Sequence, residues 1–416
     1  MTASPGYHHR QIKTFGILFI CLMLIFSPIF TPLASAKPKS NTGSETEVSN
    51  SPVAISAKAA VLIENHTGKI LYEKKRDKEL IPASITKIMT LLLIFDALKS
   101  GKIKEKDMVP VSEHAAGMGG SQVFLEPGEK QKVTTMIKCI SISSANDAAV
   151  AMAEYIGGSE ENFVKMMNKK AKELGMHHTH FMNCNGLDDS IKSGHYSSAY
   201  DVALMSQALI MNYPQIKKYS TTWMDEITHH TKKGDTNFGL TNTNKLIRTY
   251  EGITGLKTGS TSKAKYCLSA TAERNGVSLT AVIMAAPDHK VRFTEAAALL
   301  DYGFANCRTF TDKTAKIKLN PQKISGGKKE TILPRIEKNF TYTIVGDHGN
   351  NKLNRKIYFK KHLKAPMKEG DVIGKIRYFY DGEEIGSLDI HAAEKIEKAD
   401  FLSRFCHTIK AFCFCR

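Results

Sequence analysis

Hydrophobic and polar positions divide this chain into blocks of different period. An apolar run from Phe15 to Phe30 follows Arg10 and Lys13 and precedes Leu33-Ala34-Ser35-Ala36. A basic start, an apolar middle and a small-x-small site predict a secretory signal peptide over residues 1–36, cut after Ala36. Pro28 and Pro32 break the run and count against a retained anchor helix. Residues 37–55 are rich in Ser, Thr, Asn and Glu and read as a flexible leader. Ala59–Glu64 and Lys69–Glu73 are strand-like, and Asn65-His66-Thr67-Gly68 between them predicts a hairpin. A long apolar helical run follows, from Ile88 to Leu98.

From Val109 to Leu187 the pattern is helical with loops, including helices over Thr134–Ser143 and Ala148–Tyr155. Asn183-Cys184-Asn185-Gly186-Leu187-Asp188 reads as a loop, and Val202–Met211 as a further helix. The period then changes. Gly255–Ser260, Tyr266–Ala272 and Val277–Ala285 are strand-like, the last two joined by the hairpin signal Asn275-Gly276. Thr294–Phe304 closes the block as a helix. Strands at both ends with helices between predict an α/β layout, in which one antiparallel sheet collects the early hairpin and the three later strands. Short strands separated by Gly and Asp turns between Ile317 and Ile390 predict a small all-β domain. From Glu394 to Arg416, Phe401, Leu402, Phe405, Ile409 and Phe412 share one helical face, with Arg404, His407 and Lys410 elsewhere. A basic amphipathic terminal helix predicts an interfacial membrane anchor. The domains expected are therefore a leader to residue 55, a catalytic block over 56–307, a β-domain over 308–393 and an anchor over 394–416.

Composition is that of an ordinary globular protein, 42% hydrophobic and 24% charged over 416 residues. The net charge of +17 falls to +15 once Arg10 and Lys13 leave with the signal. Such a surface favours anionic lipid head groups or acidic wall polymers. Export, and lysines scattered without interleaved aromatics, exclude nucleic acid as a partner. The eight cysteines (Cys21, Cys139, Cys184, Cys267, Cys307, Cys406, Cys413 and Cys415) form no Cys-x-x-Cys pair and read mainly as small buried apolar residues. The run His177-His178-Thr179-His180 lacks a partner cluster with zinc spacing, so no metal and no other cofactor is expected.

The candidate chemistry starts at Pro82-Ala83-Ser84-Ile85-Thr86-Lys87. On a helix Ser84 and Lys87 share a face, and a neutral lysine amine there can take the serine proton. Spacing alone is weak: it recurs at Ser260/Lys263, Ser262/Lys265 and Ser325/Lys328, where it describes a solvated pair. Ser84 differs in the apolar helix behind it and in two polar motifs that follow in order, Ser144-Ala145-Asn146 and Lys257-Thr258-Gly259. The first of these also suits a plain helix cap.

Ser-x-x-Lys, Ser-x-Asn and Lys-Thr-Gly in this order resemble the penicillin-binding proteins and serine β-lactamases. With Asn146-Asp147-Ala148-Ala149, Gly255–Gly259 and the Arg292 to Phe304 segment, the chain is similar to the low-molecular-mass group, the D-alanyl-D-alanine carboxypeptidases, from about Ala59 onward. The resemblance implies an α/β, DD-peptidase/β-lactamase-like fold: an antiparallel five-stranded sheet flanked by helices, an all-helical subdomain and a small C-terminal all-β domain. It implies an enzyme at the outer face of the cytoplasmic membrane or in the cell wall. Its partners would be peptidoglycan stem peptides, β-lactam antibiotics and the membrane surface under the C-terminal helix.

Residue by residue, the resemblance makes Ser84 the nucleophile and Lys87 its base, kept neutral by burial and by a neighbouring cation, Lys257. Ser144 would relay a proton to the leaving D-alanine, and Asn146 would bind the substrate backbone. Lys257, Thr258 and, more weakly, Arg292 would hold the terminal carboxylate. Gly259 belongs to the same binding strand, and the backbone N–H groups of Ser84 and Ser260 would form the oxyanion hole. Ala145 stands where many relatives carry glycine. A DD-endopeptidase, a β-lactamase or a non-catalytic wall-binding relative are the alternatives. Asp188 and Asp189 stand where a deacylating glutamate would be sought.

Overall fold

The computed structural model describes residues 53–189, 193–232, 234–346 and 353–401, with residues 405 and 409. The signal segment 1–36, most of the leader 37–55 and Cys21, Cys406, Cys413 and Cys415 lie outside the described residues. Strands β1 (Ala59–Glu64) and β2 (Ile70–Lys74) form the expected hairpin. A 3-10 turn, Ala83–Thr86, leads into α1 (Lys87–Lys99), which is apolar almost all round and accordingly buried almost all round. Helices α2 (Val133–Ile142), α3 (Asn146–Gly157), α4 (Glu160–Glu173) and α5 (Ala199–Asn212) follow.

A hairpin of β3 (Met224–Thr231) and β4 (Gly234–Thr241) comes next. It is missing from the sequence reading because its strands are mostly exposed and rich in Thr, Asp, His and Asn, so no apolar alternation marks them. The chain returns through β5 (Ile253–Thr261), β6 (Lys265–Arg274) and β7 (Val277–Ala286) to α6 (Val291–Ala305). Asn275 and Gly276 both have positive φ, 52° and 78°, as a two-residue turn of the mirror type requires.

These five strands make one antiparallel sheet in the order β2-β1-β7-β6-β5. Both faces are covered. Ala59, Val61 and Ile63 of β1 join the core under α1, α2, α3 and α5, while Ala60 and Leu62 face Phe293, Ala296 and Leu299 of α6. Strand β5 ends the sheet, so its outer edge looks towards α1 and the α2–α3 junction.

Beyond α6, β8 (Cys307–Asp312), β9 (Phe340–Val345), β10 (Leu353–Phe359), β11 (Val372–Tyr380) and β12 (Glu383–Ala392) belong to a block with its own core, centred on Ile373, Ile376, Tyr378 and Ile390. Phe340 stacks on Tyr378 with ring centroids 3.7 Å apart. The amphipathic helix expected from Glu394 starts later. Residues 394–400 run non-helically against the β-domain, with Ile396 bridged to Met367 and Lys398 to Gly327. The physical reason is burial: Ile396 is 1% exposed in the β-domain core, so this stretch is spent on packing there. Cys139, Cys184, Cys267 and Cys307 are free and buried.

Candidate active site

Ser84 does not open an α-helix. It lies in the 3-10 turn, with Pro82 as the residue before it and Lys87 at the start of α1. In 3-10 geometry positions i and i+3 eclipse, and the Lys87 Nζ lies 3.0 Å from the Ser84 Oγ. Lys87 is completely buried. Its Nζ also lies 2.5 Å from Asn146 Oδ1 and 2.7 Å from the Asn185 carbonyl oxygen.

Those contacts define the protonation geometry. Asn146 Nδ2 donates to the Gly119 carbonyl at 2.7 Å, which orients the amide with Oδ1 towards Lys87. Both oxygens facing Lys87 from Asn146 and Asn185 can only accept. A neutral amine has two N–H bonds and one lone pair. The two acceptors take the N–H bonds, and the lone pair is left facing the Ser84 hydroxyl. Burial brings the Lys87 pKa down to about 7, with Asp147 and Cys184 pulling the other way.

Lys257 is pushed well below an ordinary lysine by burial first, and then by the charges of Lys87 and Arg292, so the two buried amines disfavour each other's charged form.

Ser144 sits at the junction of α2 and α3 with φ 64°, a left-handed conformation that costs a non-glycine residue about 1 kcal/mol or more. It is no cap: α3 begins at Asn146, preceded by Ala145, without a side-chain cap bond. Ala145 itself has an ordinary negative φ of −57°, so alanine is accommodated there without strain. The Ser144 Oγ instead accepts from Lys257 Nζ at 2.8 Å, and Lys257 also donates to the Thr258 carbonyl at 3.0 Å. Asn146 is therefore a helical residue, tied to Lys87 and to Gly119. One amide N–H remains for a ligand, fewer contacts than the substrate-binding role expected of it.

Strand β5 carries Lys257, Thr258, Gly259 and Ser260, paired with Ser269, Leu268, Cys267 and Tyr266. A Cβ on Gly259 would stand 3.0 Å from the Ser84 backbone nitrogen and 2.8 Å from the Pro82 carbonyl. The glycine is what lets β5 approach the nucleophile turn, and a side chain there would fill the space beside the Ser84 N–H. The Thr258 and Thr243 hydroxyls lie 2.6 Å apart. Arg292, at the start of α6, donates from Nη1 to the carbonyls of Gly259 at 3.2 Å and Cys267 at 3.5 Å. Its charge is thus anchored to the back of the strand it was expected to assist.

Several supporting groups escape a reading of the sequence. The loop with Asn185 is pressed onto the nucleophile turn at Gly186, where a Cβ would stand 1.9 Å from the Ala83 carbonyl. Thr90 Oγ1 donates to the Cys184 carbonyl at 2.5 Å, and Glu160 Oε1 accepts from the Cys184 N–H at 3.0 Å. His195 Nδ1 accepts from the Met182 N–H at 3.0 Å, so its Nε2 carries the hydrogen and donates to Thr86 Oγ1 at 2.9 Å. Only Asn185-Gly186, as a turn signal, marks any of this in the sequence. A backbone carbonyl has no residue-type signature. Asp188 Oδ2 accepts from Thr261 Oγ1 at 2.7 Å. In the histidine run, the His178 backbone N–H and Thr179 Oγ1 both donate to Asp201 Oδ2 at 2.7 Å, and His180 Nδ1 meets the Gly194 carbonyl at 2.6 Å.

A hydroxyl facing a buried amine of lowered pKa, a second lysine–serine pair, and an edge strand behind a backbone N–H are the parts of an acyl-transfer centre. The fold and the site together define an active-site-serine enzyme of the DD-peptidase/β-lactamase-like fold. Residues 45–288 match a family described as D-alanyl-D-alanine carboxypeptidase, and residues 309–398 match one described as the penicillin-binding protein 5 C-terminal domain. The chain belongs to the D-alanyl-D-alanine carboxypeptidase family of serine peptidases.

It is 42% identical to D-alanyl-D-alanine carboxypeptidase DacF of Bacillus subtilis (strain 168), over 94% of this chain and 96% of that protein. Among solved structures it is similar to penicillin binding protein 5 from Haemophilus influenzae, with a TM-score of 0.61 and 32% identity over 83% of this chain and 99% of that one. It is also similar to a peptidoglycan synthesis regulatory factor (PBP3) from Streptococcus pneumoniae, with a TM-score of 0.68 and 28% identity over 83% and 100%.

Proposed function

We propose that this enzyme removes the terminal D-alanine from peptidoglycan stem pentapeptides through an acyl-enzyme on Ser84, and that penicillin acylates the same serine. The observation that carries the reading is the buried Lys87 amine 3.0 Å from Ser84 Oγ with both its N–H bonds committed elsewhere. Lys87 takes the hydroxyl proton as Ser84 attacks the carbonyl of the penultimate D-alanine. The oxyanion forms beside the backbone N–H groups of Ser84 and Ser260. Ser144, backed by Lys257, returns a proton to the leaving amine, and Lys257 and Thr258 receive the terminal carboxylate. Asn146 acts chiefly by holding Lys87, and its remaining N–H is available to the substrate. Arg292 adds positive charge through the strand it supports.

The setting proposed is the outside of the cytoplasmic membrane. The signal-like segment 1–36 directs export, residues 56–307 form the catalytic domain and residues 308–393 the β-domain. The tail is the anchor. Its described residues Phe401, Phe405 and Ile409 are helical, spaced by four, and 85%, 55% and 45% exposed. No helix of the described residues is long and apolar enough to cross a membrane.

The test is incubation with labelled penicillin and with a stem pentapeptide. Label on Ser84 and release of one D-alanine are expected, both lost in Ser84→Ala. Undiminished labelling of that variant rejects the assignment.

A further inference from the structure

The positive charge of this protein is unevenly placed. Residues 308–393 hold 18 lysines and arginines against 10 acids, so this block carries +8 of the +15 expected after export. A small sheet at one end of the β-domain shows where part of that charge goes. Its short strands Gln322–Ser325 and Leu363–Lys364 run parallel, with Ile324 opposite Leu363 and Ser325 opposite Lys364. Ile324 and Leu363 are buried, so by the period of two Lys323, Ser325 and Lys364 face outwards. Lys323 and Lys364 are exposed, as is Lys361 just ahead of the second strand.

The tail leaves the domain at this same end. The Ala399 N–H donates to the Gly326 carbonyl at 2.9 Å, and Lys398 is bridged to Gly327. The Ala365 N–H donates to the Ser325 carbonyl at 2.9 Å, which places Lys364 beside that exit. Phe401 is two residues past Ala399, so its Cα lies within about 7 Å of it. Segments 322–332, 361–368 and 394–400 together hold eight lysines against four acids, Glu330, Glu394, Glu397 and Asp400. Glu397 pairs with Lys328 and Lys395, and Glu394 with Lys329. Among the described residues Lys323, Lys361, Lys364 and Lys398 have no ion-pair partner, and all four are exposed.

We propose that this lysine cluster binds the phosphates of anionic lipid headgroups, so that the β-domain rests on the membrane beside its own anchor. On the anchor reading above, Phe401 lies where headgroups meet acyl chains. A cluster so close to it along the chain then lies in the headgroup layer, which is about 5–8 Å thick on each side of a bilayer. The anchor keeps phosphates at high local concentration, so contacts too weak to capture a soluble ligand still contribute. A wall polymer in solution has no such advantage. Lysine suits the role, because a compact charge on a flexible stem can follow phosphates that move laterally. An apolar helix and a polybasic patch together hold a protein far better than either alone. Two attachments also fix the orientation of the β-domain, where a helix alone would leave it free to swing.

The test measures binding of the full chain to phosphatidylglycerol–phosphatidylcholine vesicles and to pure phosphatidylcholine vesicles. Lys323→Gln, Lys361→Gln and Lys364→Gln combined should weaken binding to the anionic vesicles by about fivefold per lysine, about a hundredfold in all. Binding to the neutral vesicles and the rate of penicillin acylation should stay unchanged. The same loss of charge on α4 of the catalytic domain, by Lys165→Gln, Lys169→Gln and Lys172→Gln, should alter anionic binding by less than about twofold, because salt screens charges that far from the bilayer. Wild-type affinity of the patch variant for anionic vesicles overturns the proposal, and retention lost only on an immobilised phosphodiester wall polymer then assigns the lysines to the wall. An equal loss in the α4 variant also overturns it, because net charge alone would then be at work. Deletion of residues 401–416 without loss on neutral vesicles overturns the anchor reading instead. The patch variants keep the tail, so the two failures are read separately.

Discussion

The Lys87 amine lies 3.0 Å from the Ser84 hydroxyl, yet the contact that makes it a base is the one with Asn146. Because Asn146 Oδ1 and the Asn185 carbonyl take the N–H bonds, the lone pair has one place to point. This arrangement works only while Lys87 is neutral. With its pKa at about 7, protonation of Lys87 rises as pH falls through that value and removes the lone pair. Penicillin acylation should therefore fall about tenfold for each pH unit below 7, with an acid limb at about 7 and a plateau above. Lys87→Met should lower the plateau acylation rate by about 10²–10⁴-fold and abolish the limb. Stopped-flow acylation between pH 5 and 9 measures both, and a limb that survives in Lys87→Met assigns the base elsewhere.

Asn146→Asp separates positioning of Lys87 from substrate binding. A carboxylate 2.5 Å from the amine favours the charged lysine, and an adjacent opposite charge moves a pKa by about 1–3 units. The sign is upward for Lys87, so the acid limb should move to higher pH, with acylation weak at neutrality and recovering in alkaline buffer. If Asn146 served only to grip the substrate, KM would rise and the limb would stay in place.

Much of this was legible in the sequence, and the reasons differ by element. The sheet was readable because β1, β6 and β7 are apolar runs bounded by turn residues, with Asn275-Gly276 closing a hairpin of defined type. Ser84, Ser144 and Lys257 were readable because three polar motifs stand in order among apolar helices. What was not readable is held by backbone. The Asn185 and Gly119 carbonyls, the close approach at Gly186 and the strain at Ser144 depend on where loops come together. Asn146 illustrates the boundary: its presence in the site was legible, whereas its attachment to Lys87 needed the packing of α3 against the start of α1. The hairpin of β3 and β4 escaped because its strands bury too little to leave a period. The tail helix starts later than expected because Ile396 packs into the β-domain core, a tertiary contact that the pattern of the tail does not mark.

His195 joins the nucleophile turn to the loop that supplies the Asn185 carbonyl, through Thr86 on one side and Met182 on the other. Replacing it by alanine leaves the part-buried Met182 N–H and the buried Thr86 hydroxyl without this partner and should cost about 1–3 kcal/mol. His195→Gln offers both an acceptor and a donor and should recover most of that. The pH dependence identifies the contribution. Burial holds the folded-state pKa down at about 4, against about 6.5 in the unfolded chain. The unfolded chain thus binds a proton that the native state refuses, and stability declines as pH falls from 6.5 towards 4, by on the order of 3 kcal/mol in full. Denaturant melts at pH 7 and pH 4.5 should show that decline shrinking by a similar amount in His195→Gln. An equal decline in the variant places the titration on another group.

The tail prediction follows from the boundary between packing and exposure. Ile396 and Ala399 are buried in the β-domain, so deleting residues 394–416 would unseat a core as well as an anchor. Deletion of residues 401–416 removes the exposed Phe401, Phe405 and Ile409 and leaves that core intact. The basic surface, +15 once the signal is removed, adds attraction to anionic lipid that is screened beyond about 8–10 Å at physiological salt. The full chain should therefore sediment with anionic vesicles, less so at high salt and least with neutral vesicles. The shortened chain should remain in the supernatant while its penicillin acylation rate is unchanged. Retention of the shortened chain on vesicles would assign membrane binding to the basic surface of the folded domains, because the apolar face proposed for the anchor would no longer be there.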